Sequence, residues 1–407
     1  NYENKGIDYP IGYVRWTEKR NFEAILAAMN KHLIKPELLV TSTFQFDNAI
    51  NAYNLLIKDN SQLGIILDYK DNKRVNCSTI KLKKDKVTKQ HKNINLTTDF
   101  IGAGNYARRI LMPIFKDCSV PLDNLLTLSG RNSSYIGKKF DFNKISTNQN
   151  EIFTKENKNI LVIASQHDSH CKYILNGLKN RRSIFVEKPI CINLEQFYKI
   201  KNSYDEIIKN NKFAPIIMVG YNRRFSDIIK KIKKKLDNFN TPKSFIYTIN
   251  AGSINQDHWT QDNEIGGGRL IGEACHFVDL LRFLSGEEIE NMSMIKLREN
   301  KSHFDTFSIN ISFKNGSIGT VHYFANGNSK FPKERLEIFT ENTIIHMDNF
   351  RYVKSWGTNL NISNLFSQDK GHINCVLSFL DAIKNNKESP IPINEIFEVQ
   401  EWLLKLN

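Results

Sequence analysis

Apolar and polar positions follow one pattern between residues 96 and 221 and a different one afterwards. In the first stretch, short apolar runs alternate with amphipathic segments, which predicts parallel strands connected by helices. The apolar run that begins at Ile160 is continuous, as expected for a strand buried on both faces. The predicted strands are 98–102, 125–129, 160–165, 183–187 and 215–220, and the predicted helices are 105–116, 170–179 and 194–209. We therefore expect an α/β domain over residues 96–221.

Residues 222–407 show the alternation of apolar and polar positions that is typical of antiparallel strands. The turn Lys314-Asn315-Gly316-Ser317 indicates a hairpin, because an Asn-Gly pair suits the left-handed backbone of tight turns. The predicted strands are 245–251, 304–313, 317–325, 334–340 and 343–347, and the predicted helices are 276–284, 372–384 and 394–406. This part is therefore expected to be an α+β domain with a mostly antiparallel, open sheet.

The first 95 residues divide into a small patterned region and a polar one. The apolar pattern of residues 1–70 predicts helices at 16–30 and 48–58 and strands at 38–46 and 64–69. These are too few elements to form more than a marginal core. Residues 71–95 are rich in Lys and Asn, and we expect a linker there. The chain starts Asn-Tyr-Glu-Asn, without Met, which leads us to expect a piece of a longer chain.

Charge and cysteine content narrow the class of protein. The formal net charge is +14, so nucleic-acid binding is one interpretation, and a phosphorylated cofactor or sugar nucleotide is another. The lysine runs 81–84 and 230–235 lack neighbouring aromatic residues for base stacking, so we expect no nucleic-acid partner. Six scattered cysteines without a CxxC pair favour a reduced, cytoplasmic protein. No metal-binding spacing of histidines and no apolar run of membrane-spanning length occurs, so neither a metal nor a membrane is expected.

A glycine motif follows the first strand of the α/β region. Gly102-x-Gly104-x-x-Ala107 lies between an apolar strand and a helix, where glycines let a backbone approach the pyrophosphate of a dinucleotide. Asn105 and Tyr106 begin that helix. An ordinary strand–turn–helix is the alternative. We expect Gly102, Gly104, Asn105 and Tyr106 to contact a dinucleotide.

The end of the second strand bears on the choice of dinucleotide. An NAD-binding domain places a carboxylate about 20 residues after the glycine motif, on the ribose 2′-hydroxyl. Here the strand ends Ser129-Gly130-Arg131, without a carboxylate. Ser129 and Arg131 suit a 2′-phosphate, which favours NADP over NAD, unless Arg131 is merely exposed.

Two further segments carry side chains for proton and hydride chemistry. Glu187-Lys188-Pro189 follows an apolar strand, where open α/β sheets bind ligands, so Lys188 is expected near the nicotinamide and a substrate hydroxyl. His276 and Asp279 follow Gly266-Gly267-Gly268 and share one helix face. His276 is placed to take the alcohol proton, although a helical histidine is often only structural.

These segments together resemble the Gfo/Idh/MocA oxidoreductase family over residues ~96–407. The resemblance rests on the glycine motif, on Glu187-Lys188-Pro189, on Gly220-Tyr221-Asn222-Arg223-Arg224-Phe225 and on His276-x-x-Asp279 after the three glycines. It implies a Rossmann domain, a second domain with an open antiparallel sheet through which the chain forms a homo-oligomer, and substrates among sugars, inositols and sugar nucleotides.

The resemblance also implies roles for individual residues. Lys188 and His276 match the family's lysine and histidine, and the loop 165–170 matches its cofactor loop, which brings Ser165, His170 and Glu187 to the cofactor. Tyr221, Arg223 and Asp279 become candidates for substrate contact. The family often has an aspartate four residues before the histidine, where this chain has Gly272. Either the adjacent Glu273 substitutes, or Lys188 and His276 act alone.

Residues 1–70 resemble the C-terminal end of a medium-chain, alcohol-dehydrogenase-like protein, through segments such as Arg20-Asn21-Phe22-Glu23-Ala24 and Asp47-Asn48-Ala49-Ile50. The join resembles bi-domain oxidoreductases, which often accompany bacterial surface-polysaccharide synthesis. This region contains no glycine motif or metal ligands of its own, so an inactive remnant or a fragment is expected rather than a second active site.

The leading hypothesis is an NADP- or NAD-dependent dehydrogenase acting on a secondary alcohol or ketone of a sugar or sugar nucleotide. A dinucleotide-sensing regulator without turnover is an alternative, but the presence of both Lys188 and His276 argues against it. An inactive fragment of a bi-domain oxidoreductase is the third possibility.

Overall fold

The structure is a computed structural model that describes residues 6–69, 78–82, 96–130, 132–153, 160–211, 215–255, 257–297, 305–364 and 368–406. It forms two compact units, divided between residues 77 and 78. No helix in the described ranges is both long and apolar enough to cross a membrane. The same ranges contain no cluster of three or more His, Cys, Asp or Glu side chains suited to a metal ion.

The first unit is a small α/β arrangement. It contains α1 (Glu18–Asn30), β1 (Val40–Gln45), α2 (Ala49–Lys58) and β2 (Gly64–Asp68), and the two strands pair in parallel. These four elements confirm the predicted ones within about two residues at most ends. Helix α1, described throughout, buries no side chain, and α2 buries only Ala52. The unit therefore has little apolar core of its own.

A seven-stranded sheet forms the centre of the Rossmann domain. Its strands are β3 (Thr79–Lys81), β4 (Thr98–Ile101), β5 (Leu122–Leu126), β6 (Lys144–Ser146), β7 (Ile160–Ile163), β8 (Ile184–Val186) and β9 (Ile217–Val219). The order is β3-β6-β5-β4-β7-β8-β9, and all neighbours are parallel except β3 and β6. Connections run in opposite directions from β4, so a topological switch point lies between β4 and β7, where such sheets bind ligands.

Helices cover this sheet. After a π-helical turn at Ala107–Leu111 come α3 (Met112–Asp117), α4 (Ser133–Phe140), α5 (Asn150–Phe153), α6 (His170–Lys179) and α7 (Leu194–Asn211). Every residue of β4, β7, β8 and β9 is buried, because helices lie on both faces. The continuous apolar runs therefore predicted these strands correctly.

Three features of this domain differ from the sequence expectations. Strand β3 lies inside the range expected to be a linker, and it pairs antiparallel with β6 at the sheet edge. Strand β6, which lies between β3 and β5, and helix α4 were not predicted. Strand β5 ends at Leu126, so Ser129 lies beyond the strand rather than at its end. Arg131 lies outside the described residues.

An eight-stranded sheet forms most of the second domain. Helices α8 (Asp227–Leu236), α9 (Cys275–Ser285), α10 (His372–Lys384) and α11 (Ile393–Leu406) accompany it. Its strands are β10 (Ser244–Asn250), β11 (Ile289–Lys296), β12 (Phe307–Phe313), β13 (Ile318–Phe324), β14 (Glu334–Thr340), β15 (Thr343–Asp348), β16 (Tyr352–Trp356) and β17 (Ile362–Ser363). The order is β11-β12-β13-β10-β14-β15-β16-β17, and only β10 and β13 are parallel. This confirms the predicted open, mostly antiparallel sheet.

The lysine-rich run 230–235 belongs to the amphipathic helix α8. Ile228, Ile229, Ile232 and Leu236 are buried on one side of this helix. Lys230, Lys231 and Lys234 are exposed on the other. The run is therefore the solvated face of an amphipathic helix.

We expect a chain that starts at residue 78 to fold without the first unit, because each unit is compact by itself. Its melting temperature should remain close to that of residues 1–407, and it should stay monodisperse in size-exclusion chromatography. A matched chain that starts at residue 96 also loses β3 and Leu82, which packs against the core of the domain. That shorter chain should melt earlier. Aggregation of the chain that starts at residue 78 would show that the first unit is required for folding.

Candidate active site

The glycine turn lies at the end of the central strand β4. Gly102 has φ +96°, and a Cβ atom there would lie 2.4 Å from the carbonyl oxygen of Ala164. Glycine is therefore required where the ends of β4 and β7 meet. A Cβ on Gly104 would meet no atom within 4 Å, so the space in front of the helix is open. Open backbone in front of a helix N-terminus is what pyrophosphate binding uses in general.

The helix after the turn starts with the two residues expected at the cofactor. Asn105 accepts a 2.7 Å hydrogen bond from Arg108 Nη2 through its side-chain oxygen. Tyr106 is partly exposed, and its ring centroid lies 6.0 Å from that of His372. The helix continues as a π-helical turn, a feature that is frequent at functional sites.

His170 connects two loops of the site. Its Nδ1 lies 2.7 Å from the carbonyl oxygen of Pro189, and its Nε2 lies 3.2 Å from that of Ser165. The side chain is fully buried, and burial lowers its pKa. The expectation that His170 contacts a cofactor directly is therefore corrected: both nitrogens face backbone carbonyls, so His170 positions the loops. Ser165 itself is half-buried, and its hydroxyl lies 2.6 Å from that of Ser169.

Lys188 reaches from the end of β8 to the second domain. Its Nζ donates a 2.5 Å hydrogen bond to the carbonyl oxygen of Gly272. Beside it, Oε1 of Glu187 is buried without a hydrogen-bond partner among the described residues. Burial raises the pKa of Glu187 to about 7. The Lys188 ammonium group and the Glu187 carboxyl group therefore follow the carboxyl end of β8, next to β7, at the edge of the sheet where the sequence predicted a ligand site.

His276 lies at the start of α9 with only 7 % of its surface exposed. Its Nδ1 is buried without a partner among the described residues. Burial and the nearby charges of Arg223 and Lys188 lower its pKa well below 6.5. Tyr221 is fully buried, packs edge-on to His276 at 6.1 Å between centroids, and has a hydroxyl without a described partner. His276 is therefore neutral near pH 7, with the Tyr221 ring beside it.

Glu273 lies in a network of hydrogen bonds and ion pairs. Tyr323 donates to Oε2 at 2.6 Å and Lys333 to Oε1 at 2.7 Å, with Arg269 3.7 Å from Oε2. Burial by itself raises the pKa of Glu273, but Lys333, Lys188 and Arg269 outweigh it and hold the pKa at about 2. A carboxylate with so low a pKa is a weak base near neutral pH. Both oxygens of Glu273 are paired within the protein, whereas Nδ1 of His276 has no described partner, so the role of proton acceptor is tested below on both residues.

Arg223 is held by a buried carboxylate. Its Nε and Nη2 each donate a 2.8 Å hydrogen bond to Glu334, which also accepts from Tyr247 at 2.6 Å and from Lys370 at 2.9 Å. The Arg223 guanidinium also lies over the Phe277 ring. Two of its five N–H donors are thus taken within the protein, and the substrate contact expected of Arg223 stays a prediction.

Asp279 likewise belongs to a buried ion pair. Arg224 donates to its two oxygens at 2.8 and 2.7 Å, and Arg224 also contacts Glu395 on α11. Arg224 is 4 % exposed and Asp279 is completely buried. The expected substrate contact of Asp279 is therefore corrected, because its carboxylate joins α9 to the loop after β9.

Two histidines that sequence reasoning did not select also face this site. His167 packs against Gly272, and His372, at the start of α10, acts electrostatically on His276. Burial first, and then the charges of Arg223 and Lys370, lower the pKa of His372 to about 4. His167 lies within the loop 165–170, and the match of that loop to the family's cofactor loop was a signal that could have selected it. The sequence contains no signal that places His372 at this site, since only the tertiary fold brings α10 to the Rossmann domain.

Removal of the Asp279 carboxylate should destabilise the protein strongly. Asp279→Ala leaves Arg224 buried and partly unpaired, which costs about 3–5 kcal/mol. Chemical denaturation of wild type and variant would measure the free energy of unfolding. Glu195→Ala serves as the control, since the pair Glu195–Lys199 is exposed and should leave the midpoint unchanged. Equal midpoints for wild type and Asp279→Ala would contradict the structural role.

Two sequence models of one family match the chain. The NAD-binding Rossmann-fold model of the Gfo/Idh/MocA oxidoreductase family matches residues 97–209, and the model of its C-terminal alpha/beta domain matches residues 206–339. Among curated proteins, myo-inositol 2-dehydrogenase of Thermotoga maritima is 24 % identical over 221 residues, which cover 53 % of this chain and 64 % of that protein. The chain thus spans less than two thirds of that relative's length.

Solved structures share the fold. A levoglucosan dehydrogenase in complex with NADH and levoglucosan has a TM-score of 0.66 at 15 % identity, covering 76 % of this chain and 96 % of that one. The UDP-N-acetylglucosamine 3-dehydrogenase GnnA of Acidithiobacillus ferrooxidans has a TM-score of 0.63 at 13 % identity with the same coverage. At such identities the likeness establishes the fold and nothing further.

Proposed function

Since the chain belongs to the Gfo/Idh/MocA oxidoreductase family through residues 97–339, we propose that it is an NAD(P)-dependent dehydrogenase. Its reaction would interconvert a secondary alcohol and a ketone on a sugar or sugar nucleotide. The observation that carries this proposal is that His276, whose buried Nδ1 has no described partner, lies close enough to Lys188 for the lysine charge to act on it.

The residues at this edge fit a nicotinamide dinucleotide. Gly102 and Gly104 leave open backbone in front of the helix that starts at Asn105. Oε1 of Glu187, the hydroxyl of Tyr221 and Nδ1 of His276 are buried polar atoms without described partners. Buried polar atoms are costly to leave unsatisfied, so their grouping supports a ligand nearby. When bound, the nicotinamide supplies the acceptor or donor of a hydride.

The two functional side chains have complementary tasks. Lys188 carries a positive charge and, anchored on the Gly272 carbonyl, can stabilise negative charge that develops on the reacting oxygen. His276 is neutral near pH 7 and can take the hydroxyl proton as the alcohol is oxidised, then return it in reduction. The Tyr221 ring lies edge-on to His276 at 6.1 Å between centroids. Glu273 remains ionised and keeps Lys333 and Tyr323 in place.

Sugars and sugar nucleotides are proposed as the substrate class from two observations. The curated relative acts on an inositol, and the two structural neighbours are named for levoglucosan and UDP-N-acetylglucosamine. The net charge of +14 also suits a phosphorylated substrate. A role in surface-polysaccharide synthesis and a location in the cytoplasm belong to the same proposal. The five described cysteines are free, which is compatible with a reducing compartment.

NADP is proposed over NAD because the sequence after β5 provides no carboxylate for the ribose. Arg131→Asp should lower the ratio of NADP to NAD affinity, since a carboxylate repels a 2′-phosphate and accepts from a 2′-hydroxyl. Calorimetric titration with NADPH and NADH would measure the ratio in both proteins. Arg109→Asp is a matched charge change elsewhere in the domain. An unchanged ratio in Arg131→Asp would remove the support for NADP.

A homo-oligomer is proposed through the outer face of the eight-stranded sheet. Ile318, Ser244, Phe339, Ile344 and Trp356 lie in register across five neighbouring strands on that face. Ile318, Phe339 and Trp356 are 56 %, 37 % and 46 % exposed. A row of this kind favours association with another sheet. Light scattering of wild type and Phe339→Lys would show whether this face holds copies together.

The first unit is proposed to be a remnant of a medium-chain dehydrogenase with no catalytic part. Residues 71–95 are proposed as the connection to the Rossmann domain, apart from β3, and residues 222–407 as the substrate and oligomerisation domain. A dinucleotide-sensing regulator and an inactive fragment are the competing functions. Titration with NADH and NADPH, followed by assays with myo-inositol, levoglucosan and UDP-N-acetylglucosamine, separates these hypotheses. Cofactor binding without turnover would favour the regulator, and no binding would favour the inactive fragment.

A further inference from the structure

We propose that His167 is a substrate-recognising residue that accepts a hydrogen bond from a substrate hydroxyl beside Lys188. The inference rests on the proposed function and deepens it, because it assigns part of the specificity for polyhydroxylated substrates to a loop of the Rossmann domain. Neither the expected catalytic groups nor the expected cofactor contacts include this residue.

The position of His167 is set by three contacts. Its Nδ1 lies 2.7 Å from the carbonyl oxygen of Gly266 in the second domain. The indole of Trp259 meets its ring edge-on, with 4.8 Å between centroids. His170 lies 5.6 Å away on the same loop. His167 is 8 % exposed, so the ring is held firmly at the boundary of the two domains with a small part of its surface open.

Gly272 brings this ring next to the catalytic lysine. The carbonyl oxygen of Gly272 accepts the hydrogen bond from Lys188 Nζ. A Cβ atom on Gly272 would lie 3.3 Å from Cε1 of His167 and 3.2 Å from the Gly266 carbonyl oxygen. The imidazole therefore packs directly against the residue that anchors Lys188, and a larger side chain at 272 would press on it.

The hydrogen bond to Gly266 determines which nitrogen can accept. A carbonyl oxygen accepts only, so Nδ1 carries the proton and Nε2 carries the lone pair of the neutral ring. Burial first, and then the charges of His170 and Lys188, lower the pKa of His167 to about 3, which keeps it neutral. Nε2 is thus left as the acceptor of a ring that lies near enough to Lys188 for its charge to act on it. A substrate with several hydroxyl groups can donate one hydrogen bond to Nε2 of His167 and accept another from Nζ of Lys188.

A purely structural histidine would behave differently on substitution. The amide nitrogen of asparagine takes the place of Nδ1 and can keep the hydrogen bond to the Gly266 carbonyl. Asparagine has no atom at the position of Nε2. The amide of glutamine reaches the position of Nε2 and cannot keep the bond to Gly266 in the same way. The two variants therefore separate recognition from packing.

The test measures NADH and NADPH affinity by calorimetry, and KM and kcat with myo-inositol, levoglucosan and UDP-N-acetylglucosamine, for wild type, His167→Asn and His167→Gln. We expect His167→Asn to raise KM by about tenfold, the effect of one lost hydrogen bond, with cofactor affinity unchanged. His167→Gln should retain more of the substrate affinity, although it melts at a lower temperature. The opposite ranking of KM would overturn the inference.

A second measurement covers the case in which the wild type binds cofactor but turns over none of the three probes. Nitrogen NMR of the histidine-labelled, cofactor-loaded protein identifies the His167 signals by comparison with His167→Asn. Addition of a probe should shift the Nε2 resonance of His167. No shift with any of the three would overturn the inference. Failure of the wild type to bind either cofactor would instead overturn the proposed function, and the inference with it.

Discussion

Replacement of Lys188 by methionine should lower kcat/KM by about 10³-fold or more, because one preorganised positive charge at the reacting oxygen is lost. Methionine keeps the length and the apolar part of the side chain, so the packing at the end of β8 is retained. The hydrogen bond to the Gly272 carbonyl oxygen disappears as well. The dissociation constant for NADH should stay within a few-fold, since the glycine turn lies on another strand.

The measurement compares steady-state turnover with calorimetric cofactor binding in the same protein preparations. Lys199→Met is the control, because Lys199 is exposed on α7 and pairs with the exposed Glu195. Full activity of Lys188→Met would show that Lys188 is not part of the catalytic machinery. A parallel loss of NADH binding would assign Lys188 to the cofactor alone.

Replacement of His276 by alanine should reduce the rate of hydride transfer by about 10²–10⁴-fold, the range for a positioned acid or base. The histidine is neutral near pH 7, because burial and then the charges of Arg223 and Lys188 lower its pKa well below 6.5. A base with a lowered pKa loses activity only as pH falls through that lower value. Protonation of His276 should therefore not lower the wild-type rate of hydride transfer between pH 8 and pH 7.

Glu273→Gln tests the alternative proton acceptor under the same single-turnover conditions. Its carboxylate pairs with Lys333 and Tyr323 and has a pKa of about 2, so the glutamine should affect stability more than the chemical step. If Glu273→Gln slows hydride transfer as much as His276→Ala does, the proton is exchanged at Glu273. If only His276→Ala slows it, the assignment to His276 stands.

Local sequence predicted most elements of the two larger domains. Helices His170–Lys179 and His372–Lys384 and strand Glu334–Thr340 have the predicted bounds, because their apolar residues repeat with the period of one face. The hairpin between β12 and β13 turns at Gly316, whose φ is +81°. The continuous runs of β7 and β8 required helices on both faces. Signals of this kind act within a few residues, so they are readable without the fold.

Pairing between distant residues decided the rest. Arg223 and Glu334 are 111 residues apart, and Arg224 and Asp279 are 55 apart, yet each pair is buried and bidentate. Polar residues in a motif suggest ligand contact when no partner is visible along the chain. The tertiary structure supplies the partner, since burial of a charge demands one. For Asp279, which is completely buried with both oxygens paired, this weighs against the expected substrate contact.

The sequence by itself determined the order of domains, the glycine turn and the presence of Lys188 and His276, because each depends on neighbouring residues. Only the tertiary structure decided that Glu273 is an ion-pair partner, that β3 closes one edge of the sheet and that His167 lies against Gly272. These outcomes depend on which surfaces meet when the Rossmann domain packs against α9 and its sheet. The packing of these surfaces depends on many long-range contacts together, and no single stretch of sequence encodes it.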